Sequence, residues 1–264
     1  MNRKKLFFGI FIAAALIVLY TPILLIIVFA FSESGTISLS SFEFGFANFR
    51  ELFTDTRILT AIFNTLFIAT VAAFLATVIG TMASVGMLKM KRRAQSGLMA
   101  LNLTPLINAT IVTSFSLVLM FATLGMLSMG YIRLILAHTL VALPIVMIIV
   151  LPKLRNMDNS LFDAAMDLGA KPSQALLKVV IPQLMPALIG AFLVGFTISV
   201  DEFIITNFNN SGIDTIPTLV YARFGFRVQG VMRALSALVF LAIFVALVIV
   251  NARMSRKKRS ASAG

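Results

Sequence analysis

Hydrophobic residues run through this chain in long, nearly unbroken blocks rather than in the alternating patterns of soluble helices or strands. Six blocks stand out, at about residues 6–31, 58–88, 98–124, 131–151, 187–208 and 231–251. Each approaches or exceeds the roughly 20 residues that an α-helix needs to cross a bilayer. Backbone polar groups inside a bilayer must bond within their own segment, so the blocks predict helices. The expected fold class is all-α integral membrane, with six transmembrane helices. The first block, after Arg3-Lys4-Lys5, is about 26 residues long. A signal-peptide core has roughly 7–15, and no small-residue cleavage site closes this run. It is read as a first span, with Pro22 kinking it or shaping its outer half.

Between the fourth and fifth blocks lies a polar stretch, residues 152–186, with Lys153, Arg155, Lys171 and Lys178 beside Asp158, Asp163 and Asp167. Its signals predict two short helices. Ser160-x-x-Asp163 has the form of a capping box, which satisfies backbone N–H groups at a helix start. Leu161, Phe162, Ala164, Ala165 and Leu168 then share an apolar face. Gly169 suits a left-handed helix end, where a side chain would be strained. Pro172 fits the first turn of a second helix, whose apolar face is Ala175, Leu176, Val179 and Val180. Pro182 lacks a donor and is expected to end or kink that helix.

The other spans carry few polar groups. Asn64 and Thr65 lie near the outer end of the second, and Gly80, Ala83, Ser84 and Gly86 suit close helix packing. Pro105 and Asn108 in the third mark either an interruption beside a pathway or a satisfied packing kink. His138 has no carboxylate near it in sequence and reads as a packed, hydrogen-bonded residue. Phe42, Phe44, Phe46, Phe49 and Phe53 predict a segment lying on the membrane surface or against the bundle. Asp201 and Glu202 fall inside the fifth block or near its outer end. A carboxylate at mid-membrane costs about 2.5–3.5 kcal/mol on insertion scales, so two need water, a cation or a basic partner. Successive helical residues diverge by about 100°, so the two cannot face one way. Asp201 either faces a pathway or pairs with Arg223 or Arg227.

Composition narrows the function. The chain has 264 residues, 59% hydrophobic and 12% charged, with a mean hydropathy of +1.01. The net charge of +12 would suit nucleic acid, but the basic residues cluster beside apolar spans instead. Sixteen Lys and Arg fall in the segments assigned to the cytoplasm and six in the outer ones. That asymmetry puts both termini in the cytoplasm. There is no cysteine and one histidine, which leaves little for a metal site and nothing for thiol chemistry. No cofactor is expected. No Walker A loop, H-E-x-x-H or G-x-S-x-G motif occurs, so ATP or hydrolytic chemistry would sit on another chain.

The polar stretch resembles the cytoplasmic loop of ATP-binding cassette importer permeases, of the pattern E-A-A, three residues, G, nine residues, I-x-L-P. Here it reads Asp163-Ala164-Ala165, three residues, Gly169, nine residues, Val179-Val180-Ile181-Pro182. Ala47 to Phe53 resembles a short element that precedes the core of these permeases. Ser199 to Thr206 and Thr215 to Tyr221 resemble elements of the spermidine/putrescine branch. Where that branch tends to carry an acid after a proline in the third span, this chain has Ala109-Thr110.

The resemblance implies a multi-pass subunit in a bacterial plasma (inner) membrane, not itself an enzyme. Two ATP-binding cassette ATPase subunits, a second permease, related or identical, and an extracytoplasmic substrate-binding protein are its implied partners, besides membrane lipid. Asp163, Ala164, Ala165, Gly169, Ile181 and Pro182 would couple to the ATPase. Asp201, Glu202, Asn108 and Thr110 would line the substrate pathway. The implied organisation is a first helix and outer segment over 1–57, a core permease domain over 58–252 and a basic tail over 253–264. The competing reading is a secondary transporter or channel without an ATPase, for which the sequence shows no convincing pair of inverted repeats.

Overall fold

A computed structural model of the chain describes residues 3–34, 38–158, 160–222, 230–241 and 244–245. Among the described residues the regular structure is helical, apart from an isolated bridge between Ser32 and Phe44. The chain forms two compact units, residues 1–59 with 220–264, and residues 60–219.

In the first unit, helix α1 (Arg3–Ala30) runs through Pro22 unbroken. Asn48 closes its end, donating from Nδ2 to the carbonyls of Ala30 (3.0 Å) and Ser32 (2.7 Å). Those carbonyls are among the groups a helix end leaves unpaired. The phenylalanine-rich segment packs on itself. Phe31 meets Phe49 at 4.8 Å between ring centroids and stacks on Phe44 at 5.8 Å. Helix α2 (Ala47–Thr54) buries Leu52 beneath it. Of the sixth block, Gly230–Leu241 is a shorter apolar helix. The remainder of that block (apart from residues 244–245), Arg223, Arg227 and the basic tail lie outside the described residues.

The second unit contains most of α3 (Thr56–Leu88), then α4 (Arg92–Ile107), α5 (Thr110–Thr123), α6 (Gly130–Arg155) and α7 (Ser160–Asp167). It continues with α8 (Pro172–Ala175), a π-turn (Leu176–Val180), α9 (Ile181–Asp201) and α10 (Ile204–Asn209), and reaches into α11 (Ile216–Ala222). Helix α6 is the most enclosed, with 61% of its apolar window buried, and serves as the central post. Small side chains let α3 and α9 approach it. A Cβ on Gly195 would touch Ala142 and Ala73 at 3.6 and 3.7 Å. Ala76, Ala142, Val146, Val150, Leu154, Leu184 and Ala191 form the resulting core. In lipid, where no hydrophobic force draws helices together, such close contact supplies the association. Of the small residues singled out in α3, Gly80 and Ser84 pack; Gly86 faces open space.

Four helical segments are long and apolar enough to cross a membrane: Phe7–Ala30, Thr56–Leu88, Gly130–Arg155 and Pro172–Asp201. Two expected spans differ from this. The third is interrupted, one of the two readings given for Pro105 and Asn108: α4 and α5 meet at 107° around Asn108 and Ala109 and, taken as one bent span, make a fifth. The break falls after Asn108, whose N–H still bonds Thr104, rather than at Pro105 inside α4. The fifth block starts and stops earlier than expected. Its helix begins at Pro172 in the polar stretch and ends at Asp201, and α10 is a separate turn.

Gly80 tests the packing. A Cβ there would lie 2.8 Å from Val146 Cγ1. Gly80→Val is expected to cost about 1–3 kcal/mol by overpacking, seen as a lower unfolding temperature in detergent. Gly190→Ala, where a Cβ meets nothing within 4 Å, should leave it unchanged.

Candidate functional site

Two constellations stand out, at opposite ends of α9. The first is the loop between α6 and α9. Helix α7 starts at Ser160, so that residue is the first of the helix rather than its cap. The capping oxygen comes from Asp158, whose Oδ1 accepts the Ser160 N–H at 2.9 Å. This bond to the backbone holds the Asp158 carboxyl below the usual carboxylate range. Helix α7 ends as expected at Gly169, with φ +84°. The Gly169 N–H bonds Met166 at 2.9 Å and the Ala170 N–H bonds Ala165 at 3.0 Å. This is the paired pattern of a Schellman motif, closed by a residue without Cβ. Pro172 opens α8, and Gln174 Oε1 accepts the Lys171 N–H at 3.1 Å.

Pro182 does not end the second helix. The chain widens into the π-turn just before it, with the Ile181 N–H bonding Leu176. A proline in a helix crowds the carbonyl four residues back and gives it no donor. The wider turn takes up that misfit, and the helix runs on to Asp201. The loop is therefore one bracket whose far arm is α9 itself. Helix α7 has no buried residue; Asp163 and Ala164 are exposed, Ala165 is half-buried, and Leu161 and Leu168 are 49% and 89% exposed. Between α7, α8 and the α3–α4 corner lies a cleft of about 950 Å³. It is walled by Leu88, Lys89, Arg155, Leu161, Phe162 and Val179, among others.

The second constellation is the break after α9. Asp201 is the last residue of the helix and is exposed. No hydrogen bond or ion pair holds it among the described residues. Glu202 turns the other way. Its Oε1 accepts the Ile205 N–H at 3.2 Å, capping α10, while its carbonyl accepts the Thr206 hydroxyl at 2.6 Å. The two carboxylates thus diverge. Among Asn108 and Thr110, the first is exposed at the α4–α5 elbow. Thr110 begins α5, one turn before Ser114, whose hydroxyl reaches the Ile204 carbonyl at 3.4 Å. Leu117, Phe121, Ala137, Val141 and Ile205 cement α5, α6 and α10 together. Thr110 therefore belongs to the helix that supports the acidic break; Asn108 is held by no comparable contact among the described residues.

His138 fixes the break from within. Its Nδ1 lies 2.7 Å from Ser199 Oγ and its Nε2 2.9 Å from Thr206 Oγ1. The Thr206 hydrogen is already committed to the Glu202 carbonyl. Nε2 therefore carries a proton toward Thr206, and in the neutral imidazole Nδ1 accepts from Ser199, so that both nitrogens are satisfied. This agrees with a packed histidine. Nothing local in the sequence marked Ser199 and Thr206 as its partners, 61 and 68 residues away.

Arg133 was also missed. It is buried, and its Nε and Nη2 donate to the Asn209 carbonyl at 2.9 and 2.6 Å. Further bonds reach Leu127 and Ser211. A cation at the last carbonyl of α10 complements that helix end. Asn64 and Thr65 pin the following segment: Asn64 Nδ2 donates to Asp214 at 2.8 Å, and Thr65 Oγ1 accepts the Ile216 N–H at 2.8 Å.

A bundle of apolar helices with an exposed helical bracket at one end and a carboxylate-bearing break at the other belongs to the membrane permeases. Residues 76–259 match the binding-protein-dependent transport system inner membrane component family, and the chain belongs to that family. It is a permease subunit of an ATP-binding cassette importer, a multi-pass protein of the inner membrane. The putrescine transport system permease protein PotI of Escherichia coli is 30% identical over 234 residues, covering 85% of this chain and 82% of PotI. The spermidine/putrescine transport system permease protein PotC of Haemophilus influenzae is 27% identical over 240 residues, covering 90% and 92%.

The fold recurs in a bacterial ABC transporter that imports the acidic polysaccharide alginate. There the TM-score is 0.70 at 16% identity, with 95% of this chain and 98% of that one covered. It recurs in an inward-facing MetNI methionine ABC transporter, with a TM-score of 0.55 at 21% identity and coverage of 75% and 94%.

His138→Phe would leave the buried Ser199 hydroxyl without its partner and take one of two from Thr206, a loss of about 1–3 kcal/mol. Thermal unfolding of the purified protein should occur earlier than in wild type. His138→Gln, which keeps a donor and an acceptor, should lose less.

Proposed function

We propose that this permease carries polyamines, and that Asp201 is the group that meets them. The observation that carries the reading is the setting of Asp201. It is an exposed carboxylate at the C-terminal, electronegative end of a membrane helix, one residue from a second carboxylate, with no basic partner among the described residues. A helix end of this kind favours cations. A small organic dication supplies the missing charge. The relatives named for putrescine and spermidine support the same choice. Glu202, Thr110 and Asn108 are the further pathway residues, with Glu202 acting mainly by shaping the break.

In this reading six spans cross the membrane with both termini in the cytoplasm, which the charge asymmetry supports. Residues 58–252 form the transport core, followed by the basic tail. Two such bundles, this chain and a second permease, enclose the pathway. An external binding protein delivers substrate to the outer segment that begins at Asn209. ATP is hydrolysed on separate ATPase subunits, one of which receives α7. The unburied apolar face of α7 supports that docking, and Asp163, Ala164 and Ala165 lie on this helix. Gly169 ends it, while Ile181 and Pro182 join the bracket to α9. ATP drives the switch between inward and outward states only by favouring one of them through the docked subunits.

Two variants separate the roles in a reconstituted transporter. Gly169→Val, forced into a left-handed backbone, should abolish binding-protein-stimulated ATP hydrolysis or detach the ATPase while the bundle still inserts. Wild-type uptake in that variant would remove the loop from the coupling path. Asp201→Asn should lower putrescine uptake about ten- to hundredfold, as expected for losing a charged hydrogen bond worth about 1.5–3 kcal/mol, with assembly intact. Full uptake would leave Asp201 without a transport role.

A further inference from the structure

The link from the loop into α9 accounts for half of the bracket. The other arm returns to α6, and there the structure assigns a transmission role to one side chain: Gln95, the strut between the loop and the broken α4–α5 span. This inference rests on the coupling role proposed above for the loop.

Gln95 lies in the first turn of α4 and is 8% exposed. Its Nε2 donates to the carbonyls of Met87, at 2.6 Å, and Met90, at 3.1 Å. These belong to the last turn of α3 and the corner that follows it. Its Oε1 accepts from Arg155 Nη2 at 2.5 Å. Arg155 is the last residue of α6 and stands three residues before Asp158, the cap of α7. One amide thus joins the end of α3, the start of α4 and the end of α6: two of its bonds go to carbonyls at and just beyond a helix end, and the third comes from the Arg155 guanidinium.

Packing makes this joint rigid on one side and isolated on the other. Beneath it, Met87, Met147 and Leu151 form a small core against Ala83, Met99 and Leu143, so that α3, α4 and α6 meet there as one corner. On the loop side, the cleft of about 950 Å³ separates α7 and α8 from the same corner. Helix α7 therefore does not press on α4 across that gap. A displacement of its leading end is passed on through Arg155 to Gln95 and along α4, which ends at the elbow beside Thr110. By this route the stroke reaches the support of the acidic break from a second direction, independent of α9. Gln95 is a positioning residue; it touches neither substrate nor nucleotide.

The experiment uses the complete transporter, with ATPase subunits, partner permease and binding protein, in proteoliposomes. The probe is labelled putrescine, and uptake and ATP hydrolysis are measured together. Gln95→Leu keeps the volume and removes all three bonds. Assembly and basal ATP hydrolysis should stay within about twofold of wild type, while uptake per ATP falls about tenfold, inside the usual range for coupling between sites. Arg155→Met should give the same defect. The double variant should be no worse than either single one, because both break one contact. Unchanged uptake per ATP in Gln95→Leu, or additive losses in the double variant, would overturn the assignment.

Should Gln95→Leu fail to assemble, Arg155→Met alone decides, since Arg155 is exposed and its removal leaves no cavity. Unchanged uptake per ATP in that variant overturns the assignment equally. Gly169→Val, run beside them, tells the two ideas apart. If it uncouples and the strut variants do not, only the strut is wrong; if it too is silent, the loop reading itself has failed.

Discussion

Every backbone N–H and carbonyl inside a membrane needs a partner that water cannot supply. The architecture of this permease follows from how it meets that demand where its helices break. Breaking α9 after Asp201 strands groups on both sides. Glu202 serves the Ile205 N–H, Thr206 serves the Glu202 carbonyl, and Arg133 serves the last carbonyl of α10. His138 then binds Thr206 and Ser199 together across the gap. Glu202, Thr206, His138, Ser199 and Arg133 thus each hold a partner at the break. Asp201 is exposed and unpaired among the described residues, and the role proposed for its carboxylate rests on that.

Local physics made much of this legible in sequence. The turn at Gly169 depends on one backbone conformation that one residue type adopts freely, so Asp163 to Ala170 could be read without a structure. The same holds for Pro172 at a helix start and for the divergence of Asp201 and Glu202. What stayed hidden was of two kinds. Pro182 gave the correct local signal, a helix that cannot continue as an ordinary α-helix, but a π-turn is a second way to satisfy it. The span was therefore assigned too short at one end and too long at the other. Gln95, Arg133 and His138 act on partners about 60 to 80 residues away, and no periodicity records such pairings. In the third block Pro105 and Asn108 together signal an interruption or a kink, and the chain turns at the second of them, with Pro105 carried inside α4.

The two ends of the second unit are built differently, and the contrast suits a machine that transmits force. At the break the bonds are many and buried, and they fix the backbone on which Asp201 and Glu202 stand. At the loop end the helices are short and exposed and stand over a cleft, with few attachments to the bundle. In the coupling proposed above, motion at the loop end reaches the break only through stiff members, α9 by simple continuity and the α3–α4–α6 corner beside it.

The π-turn sets a rule about length. An α-helix advances about 100° per residue, and a π-turn lodges an added residue without breaking the helix. The nine residues between Gly169 and Val179 therefore do more than space two motifs. They set the compass bearing of α7 about the axis of α9. Removing one residue from Leu176–Val180 would let the turn relax to an ordinary helix at nearly the same bearing, because the wide turn already takes up one added residue. Substitutions in this stretch are a matter of packing, whereas a further added residue would turn α7 by roughly 100° about the axis of α9. The segment should accordingly tolerate substitution far better than insertion.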